Sequence, residues 1–289
     1  MSTISLAGAR VLVVGASSGI GRAFAVAAVK DGARVVLAAR RREHLEKASA
    51  EAGGGLCVPV DLRAPDSGTR LAEAVRDHLG GLDLLVSCVG AAPLRMLADM
   101  SQDDWQHVFE TNVVGVHRVL STCLPLLERD GMVMAFSTES IGQPRTGLGG
   151  YVASKAALEQ MINCWRAERP WLRFTIVTVG ATFPTDFGVA FDMDLLPRLM
   201  TDWASRGIAH EEYMTPEGVA AVLLGATAAA WRQPGVCIEH LTLRSPSPVT
   251  GTPPPGLTAP EHAASASPPG SLHGGLPSPV PPGPAPASE

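Results

Sequence analysis

Short apolar runs alternate with longer amphipathic segments along most of the 289-residue chain. The runs have the length of buried strands, and the intervening segments have the length of helices that cover a sheet. Seven strands are predicted, at residues 10–14, 34–39, 56–60, 82–87, 132–137, 173–179 and 236–241. The predicted helices include residues 22–30, 43–52, 67–79, 102–129 and 151–169. This alternation predicts an α/β fold, a doubly wound parallel sheet with helices on both faces.

Residues 245–289 depart from this pattern. They are mainly Pro, Gly, Ala, Ser and Thr, and they contain no Lys, Arg or aromatic residue. Such a composition buries too little apolar area to offset the entropy cost of ordering the chain. We therefore predict one folded domain at residues 1–244 and a disordered tail at residues 245–289. An inert tail is favoured over a proline-recognition segment.

Charge and composition exclude several classes of function. The net charge of −5 provides no basic surface for nucleic acid or for an anionic membrane. The N-terminal sequence lacks the pattern of a secretory signal, and no apolar run reaches the ~18 residues of a membrane span. The five cysteines lack metal-binding spacing, which indicates structural thiols in a reducing compartment. We expect a cytoplasmic protein without a metal, nucleic-acid or membrane partner.

The sequence RVLVVGASSGIGR at residues 10–22 joins the first strand to the first helix through a glycine-rich turn. Gly15, Gly19 and Gly21 let the backbone approach a ligand, and the helix directs its N-terminal N–H groups to the same place. These features suit the pyrophosphate of a dinucleotide. The spacing G-x-x-x-G-x-G differs by one residue from the commonest dinucleotide fingerprint, and glycines also close ordinary strand–helix turns.

The end of the second strand indicates which dinucleotide is preferred. Ala39 stands where an acidic residue holds the ribose 2′-OH of NAD, and Arg40 offers a guanidinium suited to a 2′-phosphate. These two residues favour NADP(H) over NAD(H). Alternatively, residues 40–42 only solvate the start of the next helix. Asp61 and Leu62, at the end of the third strand, are candidates for the adenine edge, although an aspartate there also suits a helix cap.

Tyr151 and Lys155 form a candidate catalytic pair at the start of a predicted helix. Residues four positions apart share one helical face, so the phenol and the ammonium point into the same cleft. A free tyrosine titrates near ~10, too high for ready proton exchange at neutral pH. A nearby Lys⁺, together with an oxidised nicotinamide, lowers the pKa of such a phenol. The lysine would also hold the nicotinamide ribose.

Together these features resemble the short-chain dehydrogenase/reductase family, in its short branch with the motifs TGxxxGxG and YxxxK. The resemblance covers residues 6–243, and residues 14–21 match the first motif with Val14 in place of threonine. It implies a Rossmann-type sheet and a nucleotide cofactor. The cofactor contacts it implies are Gly15, Ser17, Ser18, Gly19, Ile20, Gly21, Gly90, Tyr151, Lys155, Gly180 and Thr185.

The resemblance also implies two further catalytic residues. Asn112 corresponds to the family's helix asparagine, which supports a proton-relay water beside the lysine. Thr138 lies where counting back from Tyr151 places the family's catalytic serine, so its hydroxyl would take that role. Ser137 or Ser140 would assist if the loop were shifted.

Two stretches depart from the family's pattern. Residues 87–90 read SCVG where the family has NNAG, which weakens the transfer of the adenosine-side contacts more than that of the chemistry. The family's PG appears as Val179-Gly180, and the loop after it is one residue longer than usual. Either Thr182 or Thr185 would therefore meet the nicotinamide carboxamide.

Residues 186–213 are predicted to cover the substrate as a helical lid. Its apolar stripe consists of Phe187, Phe191, Leu195, Leu199 and Trp203, with Leu196 and Met200 alongside. Either the stripe only packs on the domain, or part of it faces an apolar substrate.

Several polar and aromatic residues near these motifs are not expected to act chemically. Glu139 would be an additional acid, but a solvated loop carboxylate is the preferred interpretation. The segment His210, Glu211 and Glu212 is interpreted as a polar loop rather than a metal site. The remaining structural or surface residues are His107, His117, Trp165 and Trp171.

The sequence therefore predicts an NADP-dependent carbonyl reductase or alcohol dehydrogenase for an apolar ketone or alcohol. Hydride would pass between C4 of the nicotinamide and the carbonyl carbon, while Tyr151 protonates the alkoxide. The first alternative is a nucleotide-binding sensor or scaffold without chemistry, and the second is a lyase or epimerase that uses a transient oxidation. The resemblance also suggests a homodimer or homotetramer formed through the long helices.

Overall fold

A seven-stranded parallel sheet lies at the centre of the computed structural model, which describes residues 4–210, 212–246 and 249–250. The strands of the chain are β1 (Arg10–Val14), β2 (Arg34–Ala39), β3 (Leu56–Pro59), β4 (Leu82–Ser87), β5 (Leu127–Thr138), β6 (Arg173–Val179), β7 (Ala209–His210), β8 (His240–Leu243) and β9 (Val249–Thr250). The order across the large sheet is β3-β2-β1-β4-β5-β6-β8, and each neighbouring pair is parallel. The predicted doubly wound, Rossmann-type sheet is confirmed.

Helices cover both faces of this sheet. They are α1 (Gly19–Lys30), α2 (Arg42–Ala52), α3 (Ser67–Leu79), α4 (Gln102–Phe109), α5 (Gly115–Cys123), α6 (Gly149–Glu168), α7 (Leu196–Ser205) and α8 (Pro216–Trp231). Alternate residues of β1 enter different cores: Val11 and Val13 pack with α1, α2 and α8, and Leu12 and Val14 pack with α3, α5 and α6. Because both faces of β1 are buried, the strand reads as a continuous apolar run.

The predicted helix at residues 102–129 is wrong at its C-terminal end and is interrupted in the middle. A π-helical turn at Glu110–Val114 separates α4 from α5, and β5 already begins at Leu127. Leu127 pairs with Leu82 of β4, so the residues after Leu126 belong to the sheet. A bulge between Leu82 and Leu84 interrupts the register there, which hid the start of the strand from a simple apolar pattern.

The last strand of the sheet begins at His240, so the predicted strand at residues 236–241 is shifted toward the C-terminus. The reason is a buried guanidinium beneath the preceding loop. Arg173 donates to the carbonyl oxygens of Ala230 (2.6 Å) and Val236 (3.2 Å). Thr175 donates to the carbonyl of Ile238 at 2.6 Å. The carbonyl oxygens of Val236 and Ile238 therefore accept from side chains of β6 and not from its backbone N–H groups, as a strand starting at Val236 would require.

The short strand β9 pairs antiparallel with β7, at Ala209 with Thr250 and at His210 with Val249. It lies within the segment predicted as a tail, of which residues 247–248 and 251–289 are outside the described residues. Among the described residues, no helix is long and apolar enough to cross a membrane. The five cysteines are free thiols, of which Cys164 and Cys237 are exposed.

Candidate active site

The glycine turn lies where β1 ends and α1 begins, at the carboxyl edge of the sheet. Gly15 has a φ of +90°, and a Cβ there would lie 2.8 Å from the carbonyl oxygen of Cys88. A Cβ at Gly21 would overlap the carbonyl oxygen of Gly15. Ser18 is the N-cap of α1, but its side chain makes no capping hydrogen bond. The first N–H groups of α1 therefore lack the usual side-chain acceptor, as an anion site at a helix N-terminus requires.

Arg41, rather than Arg40, contacts the glycine turn. Its Nη2 donates to Ser17 Oγ at 3.1 Å and to Ser18 Oγ at 3.0 Å. The same nitrogen forms a 2.5 Å ion pair with Asp186 of the segment that covers the site. Arg40 is exposed at the end of β2. The sequence contained this signal in the run of three arginines, but it could not show which of them turns toward the serines.

A cavity of about 320 Å³ adjoins the same turn. Its lining includes basic side chains of α1 and α2, namely Arg22, His44 and Lys47. Gly19, Pro184, Thr185 and Asp186 also line it. Cationic side chains beside uncapped backbone N–H groups suit a phosphorylated ligand. The donor set therefore fits a nucleotide at this place.

Of the predicted adenine-edge residues, Asp61 pairs with Arg63 at 2.7 Å, and this hydrogen bond lowers the pKa of the Asp61 carboxyl. The side chain of Leu62 is buried in the core beneath α5. Thr182 donates to the Gly180 carbonyl at 3.0 Å. Thr185 instead lies beside Gly19, which favours Thr185 as the residue that meets the nucleotide.

Tyr151 and Thr138 place two hydroxyl groups together at the other end of the cleft. Tyr151 lies in the first turn of α6 and is 6% exposed, and its hydroxyl is within hydrogen-bonding reach of Thr138 at the end of β5. Burial raises the pKa of Tyr151 to about 12, although the Thr138 hydrogen bond and the charge of Arg145 lower it. Burial thus outweighs the lowering that the hydrogen bond and the charge produce.

Lys155 lies one turn along α6 and is almost completely buried. Its Nζ donates to the carbonyl oxygens of Val89 and Phe136, both at 2.7 Å, and lies 5.9 Å from the centre of the Tyr151 ring. Burial lowers the pKa of Lys155 to about 8. A would-be Cβ at Gly90 lies 3.8–4.0 Å from the Tyr151 and Lys155 side chains, so the glycine leaves space at this point.

Asn112 is fully buried in the π-helical turn between α4 and α5. Its Oδ1 accepts from Ala91 N at 2.7 Å, while its Nδ2 donates to Ala91 O and Ser154 Oγ, both at 2.9 Å. Ser154 in turn donates to the Tyr151 carbonyl at 2.7 Å. Asn112 therefore fixes the loop after β4 against α6. The extra residue of a π turn is a common way to aim one helical side chain into a site.

The two serines considered as substitutes for Thr138 are engaged elsewhere. Ser137 donates to Glu159 on α6 at 2.5 Å. Ser140 accepts from Arg145 Nη1 at 2.8 Å. Thr138 is thus the hydroxyl that faces Tyr151.

Glu139 and His210 differ from the sequence interpretation. Glu139 is 8% exposed and His210 is 4% exposed, so neither is a solvated loop residue. Glu139 Oε1 contacts Arg145 Nη2 at 2.6 Å and His210 Nε2 at 3.1 Å. No cluster of His, Cys, Asp and Glu suited to a metal occurs among the described residues. Glu211 lies outside those residues.

The apolar covering segment contacts Tyr151 directly. Phe187 packs edge-to-face on Tyr151 at 5.1 Å between ring centroids, and Phe191 packs on Phe187 at 5.4 Å. The predicted stripe is α-helical only from Leu196 onward, in α7, while Phe187 lies in a short 3-10 turn at Asp186–Gly188. Leu199 is buried in the same small cluster as Tyr151. Part of the stripe therefore packs on the domain, and the part around Phe187 lies at the site.

The other residues interpreted as structural contact their neighbours outside the site. His117 stacks on Trp165 at 5.7 Å, and His107 Nδ1 lies 3.3 Å from Arg63. Trp171 is 45% exposed.

Comparisons with known proteins agree with this geometry. The family model for short chain dehydrogenase matches residues 9–195. Glycine betaine reductase ATRR of Emericella nidulans is 33% identical over 201 residues, covering 67% of this chain and 16% of that protein. The chain therefore spans only a small part of that relative. An uncharacterized oxidoreductase of Listeria monocytogenes is 27% identical over 222 residues, covering 74% of this chain and 88% of the relative.

Solved structures share the fold. An alcohol dehydrogenase from Thermococcus sibiricus complexed with 5-hydroxy-NADP has a TM-score of 0.69 at 26% identity, covering 81% of this chain and 95% of that chain. A short chain dehydrogenase from Burkholderia cenocepacia in complex with NADP has a TM-score of 0.71 at 25% identity, covering 82% and 97%. The sheet order, the paired Tyr151 and Lys155, and the family match lead to one conclusion: the chain belongs to the short-chain dehydrogenase/reductase family of NAD(P)-dependent oxidoreductases.

Proposed function

We propose that this oxidoreductase uses NADP(H) to interconvert a carbonyl group and an alcohol, with Tyr151 as the proton donor and acceptor. The observation that carries the proposal is the meeting of the Tyr151 and Thr138 hydroxyls beside the buried Lys155 ammonium. Two hydroxyl groups at one point suit the oxygen of a carbonyl group, because both can hydrogen-bond to it.

A bound nicotinamide nucleotide supplies or accepts the hydride. Thr138 holds the substrate oxygen, and Tyr151 gives its proton to that oxygen as negative charge develops there. The raised pKa of Tyr151 keeps the phenol protonated at neutral pH, as a general acid requires. Lys155 is fixed by the Val89 and Phe136 carbonyls, so its ammonium is held beside the phenol and is placed to hold the nicotinamide ribose. Asn112 keeps the loop after β4 in register with α6.

Tyr151→Phe tests this assignment. We expect turnover to fall by ~10²-fold or more while NADPH binding stays within about twofold, because general acid catalysis contributes ~10²–10⁴-fold. Tyr213→Phe is a matched control, since Tyr213 is the chain's other tyrosine and is 44% exposed. Turnover by Tyr151→Phe above a tenth of the wild-type rate on a good substrate would refute the role of the phenol.

The preference for NADP(H) rests on one neutral and two basic side chains at the end of β2, namely Ala39, Arg40 and Arg41. Ala39 offers no carboxylate to a ribose 2′-OH, while Arg41 bonds to Ser17 and Ser18, and Arg40 adds a second cation. Titration of NADPH and NADH by fluorescence tests the preference. Arg41→Ala is expected to weaken NADPH by ~10-fold and NADH by about twofold, with Arg40→Ala showing a smaller effect of the same kind. If the variants lost affinity equally for NADPH and NADH, the proposed preference would be contradicted.

The substrate is proposed to be an apolar ketone or alcohol. Phe187 and Phe191 form an aromatic cover over Tyr151. Activity across a panel of ketones should therefore rise with apolar bulk, and Phe187→Ala should reduce that trend. Tight NADPH binding without turnover on any ketone, or on alcohols with NADP⁺, would instead favour the sensor function.

Two further predictions concern the whole protein. The chain is expected to form a homodimer or homotetramer, which sedimentation would test, and a cytoplasmic location also stays a prediction.

A further inference from the structure

A buried ion cluster lies beside the catalytic hydroxyls, and its centre is Glu139. We call Glu139, Arg145, His210 and Arg244 the Glu139 cluster. Arg145 Nη2 donates to Oε1 at 2.6 Å, and His210 Nε2 lies 3.1 Å from the same oxygen. Arg244 Nε lies 3.1 Å from Oε2. The side chains of Glu139, Arg145 and His210 are 6%, 11% and 2% exposed.

The Glu139 cluster joins four segments that surround the site. Glu139 directly follows Thr138, and Arg145 lies in the loop that leads to α6. His210 is on β7, at the end of the covering segment, and Arg244 follows β8. The carboxylate also lies under the β6 terminus, because a Cβ at Gly180 would be 2.8 Å from Oε2. One carboxylate therefore ties the catalytic strand to the segments that close over it.

Arg145 connects the cluster to the hydroxyl pair. Its Nη1 donates to Ser140 Oγ at 2.8 Å, and Ser140 N donates to Thr138 Oγ1 at 3.2 Å. Its Nη2 also donates to the Ile208 carbonyl of the covering segment at 3.3 Å. The guanidinium is therefore fixed by Glu139, by the catalytic loop and by the segment that covers the substrate.

The charge of Arg145 acts on the catalytic phenol. After burial, which raises the pKa of Tyr151, and the Thr138 hydrogen bond, the Arg145 charge is the remaining influence, and it lowers that pKa. The other groups facing Tyr151 are Lys155 on its own helix, Phe187 of the covering segment and Gly90 of the loop after β4. Arg145, in the loop before α6, is connected to the hydroxyl pair through Ser140 and Thr138, and its charge lowers the pKa of the phenol.

We propose that Glu139 is a positioning residue of the reaction, which holds the Arg145 guanidinium beside the catalytic hydroxyls and joins it to the covering segment. This inference rests on the proposed role of Tyr151 in carbonyl and alcohol interconversion. Glu139 performs its part as a carboxylate. Burial raises the pKa of the Glu139 carboxyl, but Arg145 and His210 together lower it by a larger amount. The carboxyl is therefore ionised in the folded protein. Removal of that charge leaves a buried guanidinium without its shortest partner.

The sign of a pH shift distinguishes positioning from a simple charge effect. Alcohol oxidation takes place with NADP⁺ bound, and the cationic nicotinamide lowers the pKa of the phenol. The reaction requires the Tyr151 phenolate, so its rate rises with pH through this lowered pKa. Arg145→Gln removes a cation and should move this ascending limb to higher pH, by ~0.5–1 pH unit for one partly screened charge. If Glu139 positions Arg145, Glu139→Gln releases the guanidinium and moves the limb in the same direction. If Glu139 were only a nearby negative charge, its removal would move the limb to lower pH.

The experiment compares pH profiles of alcohol oxidation for wild type, Glu139→Gln, Arg145→Gln, the double variant and Arg145→Lys. We expect upward shifts in both single charge-removing variants, no further shift in the double variant, and a smaller shift in Arg145→Lys, which keeps the charge. The dissociation constant for NADPH should stay within about twofold in all of them. Glu128→Gln is the control, because Glu128 pairs with Arg10 at an exposed site.

An unchanged or lowered limb in Glu139→Gln overturns the proposal, as does an additive shift in the double variant. If Glu139 had only a structural role, Glu139→Gln would reduce the folded fraction and leave the pH profile of alcohol oxidation unchanged. Glu139→Asp keeps the charge but shortens the reach, so it serves if Glu139→Gln does not fold, with an upward shift again expected.

A second readout needs no turnover. In a Tyr213→Phe background Tyr151 is the only tyrosine, so ultraviolet difference absorbance reports its phenolate directly. At alkaline pH values where the proteins stay folded, Glu139→Gln and Arg145→Gln should show less phenolate than the background. If the wild type has no oxidoreductase activity but this order holds, the proposed function fails and the positioning of Arg145 stands. If turnover is normal but the order is absent, only the positioning role fails.

Discussion

The burial of Lys155 makes the stability of the fold depend on pH. Its ammonium is almost fully removed from water and is held by two backbone carbonyls rather than by a carboxylate. Burial therefore lowers the pKa of Lys155 to about 8, well below the usual value of a lysine. The folded chain binds this proton less tightly than the unfolded chain does. The cost of keeping it charged is present at neutral pH and disappears as the pH rises.

Lys155→Met should remove that free-energy cost, because the variant has no ammonium to bury. Between pH 8 and about 10.5 the unfolded wild type binds more protons, so wild-type stability should rise with pH relative to the variant, by up to roughly 3 kcal/mol. Urea unfolding at several pH values measures the difference. Lys30→Met, at an exposed site, should show no such pH dependence. A wild-type minus Lys155→Met difference that is constant over this range would contradict the lowered pKa.

Two helical glycines offer a matched test of the glycine turn between β1 and α1. A Cβ at Gly21 in α1 would overlap Gly15 O and lie 2.9 Å from Cys88 Cβ, whereas a Cβ at Gly225 in α8 meets nothing within 4 Å. Gly21→Ala should lower the melting temperature and weaken NADPH binding by at least ~10-fold, because the turn must open. Gly225→Ala should leave binding unchanged and raise stability by up to about 1 kcal/mol. Equal binding in both variants would show that the close approach at Gly21 is dispensable.

The sequence identified the residues whose chemistry is local, and it failed where partners come from distant segments. Tyr151 and Lys155 share one helix face, so spacing alone put them together. For Glu139 the preferred interpretation was a solvated loop carboxylate, although Arg145 lies only six residues further along the chain. Its partners Arg145, His210 and Arg244 come from three other segments, and only the fold brings them to one carboxylate.

Among the elements, the last strand depends on a side chain of its neighbour. Arg173 of β6 is 6% exposed and donates to the carbonyl oxygens of Asp130, Ala230, Gln233 and Val236. It thereby fixes the end of α8 and the loop that leads into β8. The apolar pattern could not place this boundary, because Val236 and Ile238 look like strand residues while their carbonyls accept from β6 side chains. Element boundaries set by such long-range bonds are invisible to periodicity.

Arg173→Met should loosen β8 and lower the free energy of unfolding by about 2–4 kcal/mol, since several buried carbonyls lose their donor. Hydrogen exchange should show faster exchange for amides of β8 than for those of β1. Arg206→Met, which breaks a surface ion pair with Asp202 at the C-terminal end of α7, is the control and should change stability by about 0.5 kcal/mol or less. A similar, small effect in both variants would mean that the carbonyl cluster contributes little.

For the molecule as a whole, the sheet was predictable because both of its faces are buried. Each central strand must be apolar throughout, and the helices between parallel strands must span the sheet, so run length and alternation determine the architecture. The C-terminal limit of the domain was less predictable. Strand β9 is a two-residue element in a stretch rich in proline and serine, and its pairing with β7 comes from tertiary structure rather than from composition.

The end of the folded unit can be tested by truncation. Strand β9 pairs with β7, which carries His210 to Glu139. A chain that ends at Thr258 should therefore melt like the full-length protein. A chain that ends at Arg244 lacks β9 and should melt about 2–4 °C lower for each kcal/mol lost, with faster amide exchange at Ala209 and His210. If both truncated chains match the full-length protein in melting temperature and in exchange, β9 contributes nothing to the domain, and its boundary lies at Arg244, as composition alone suggests.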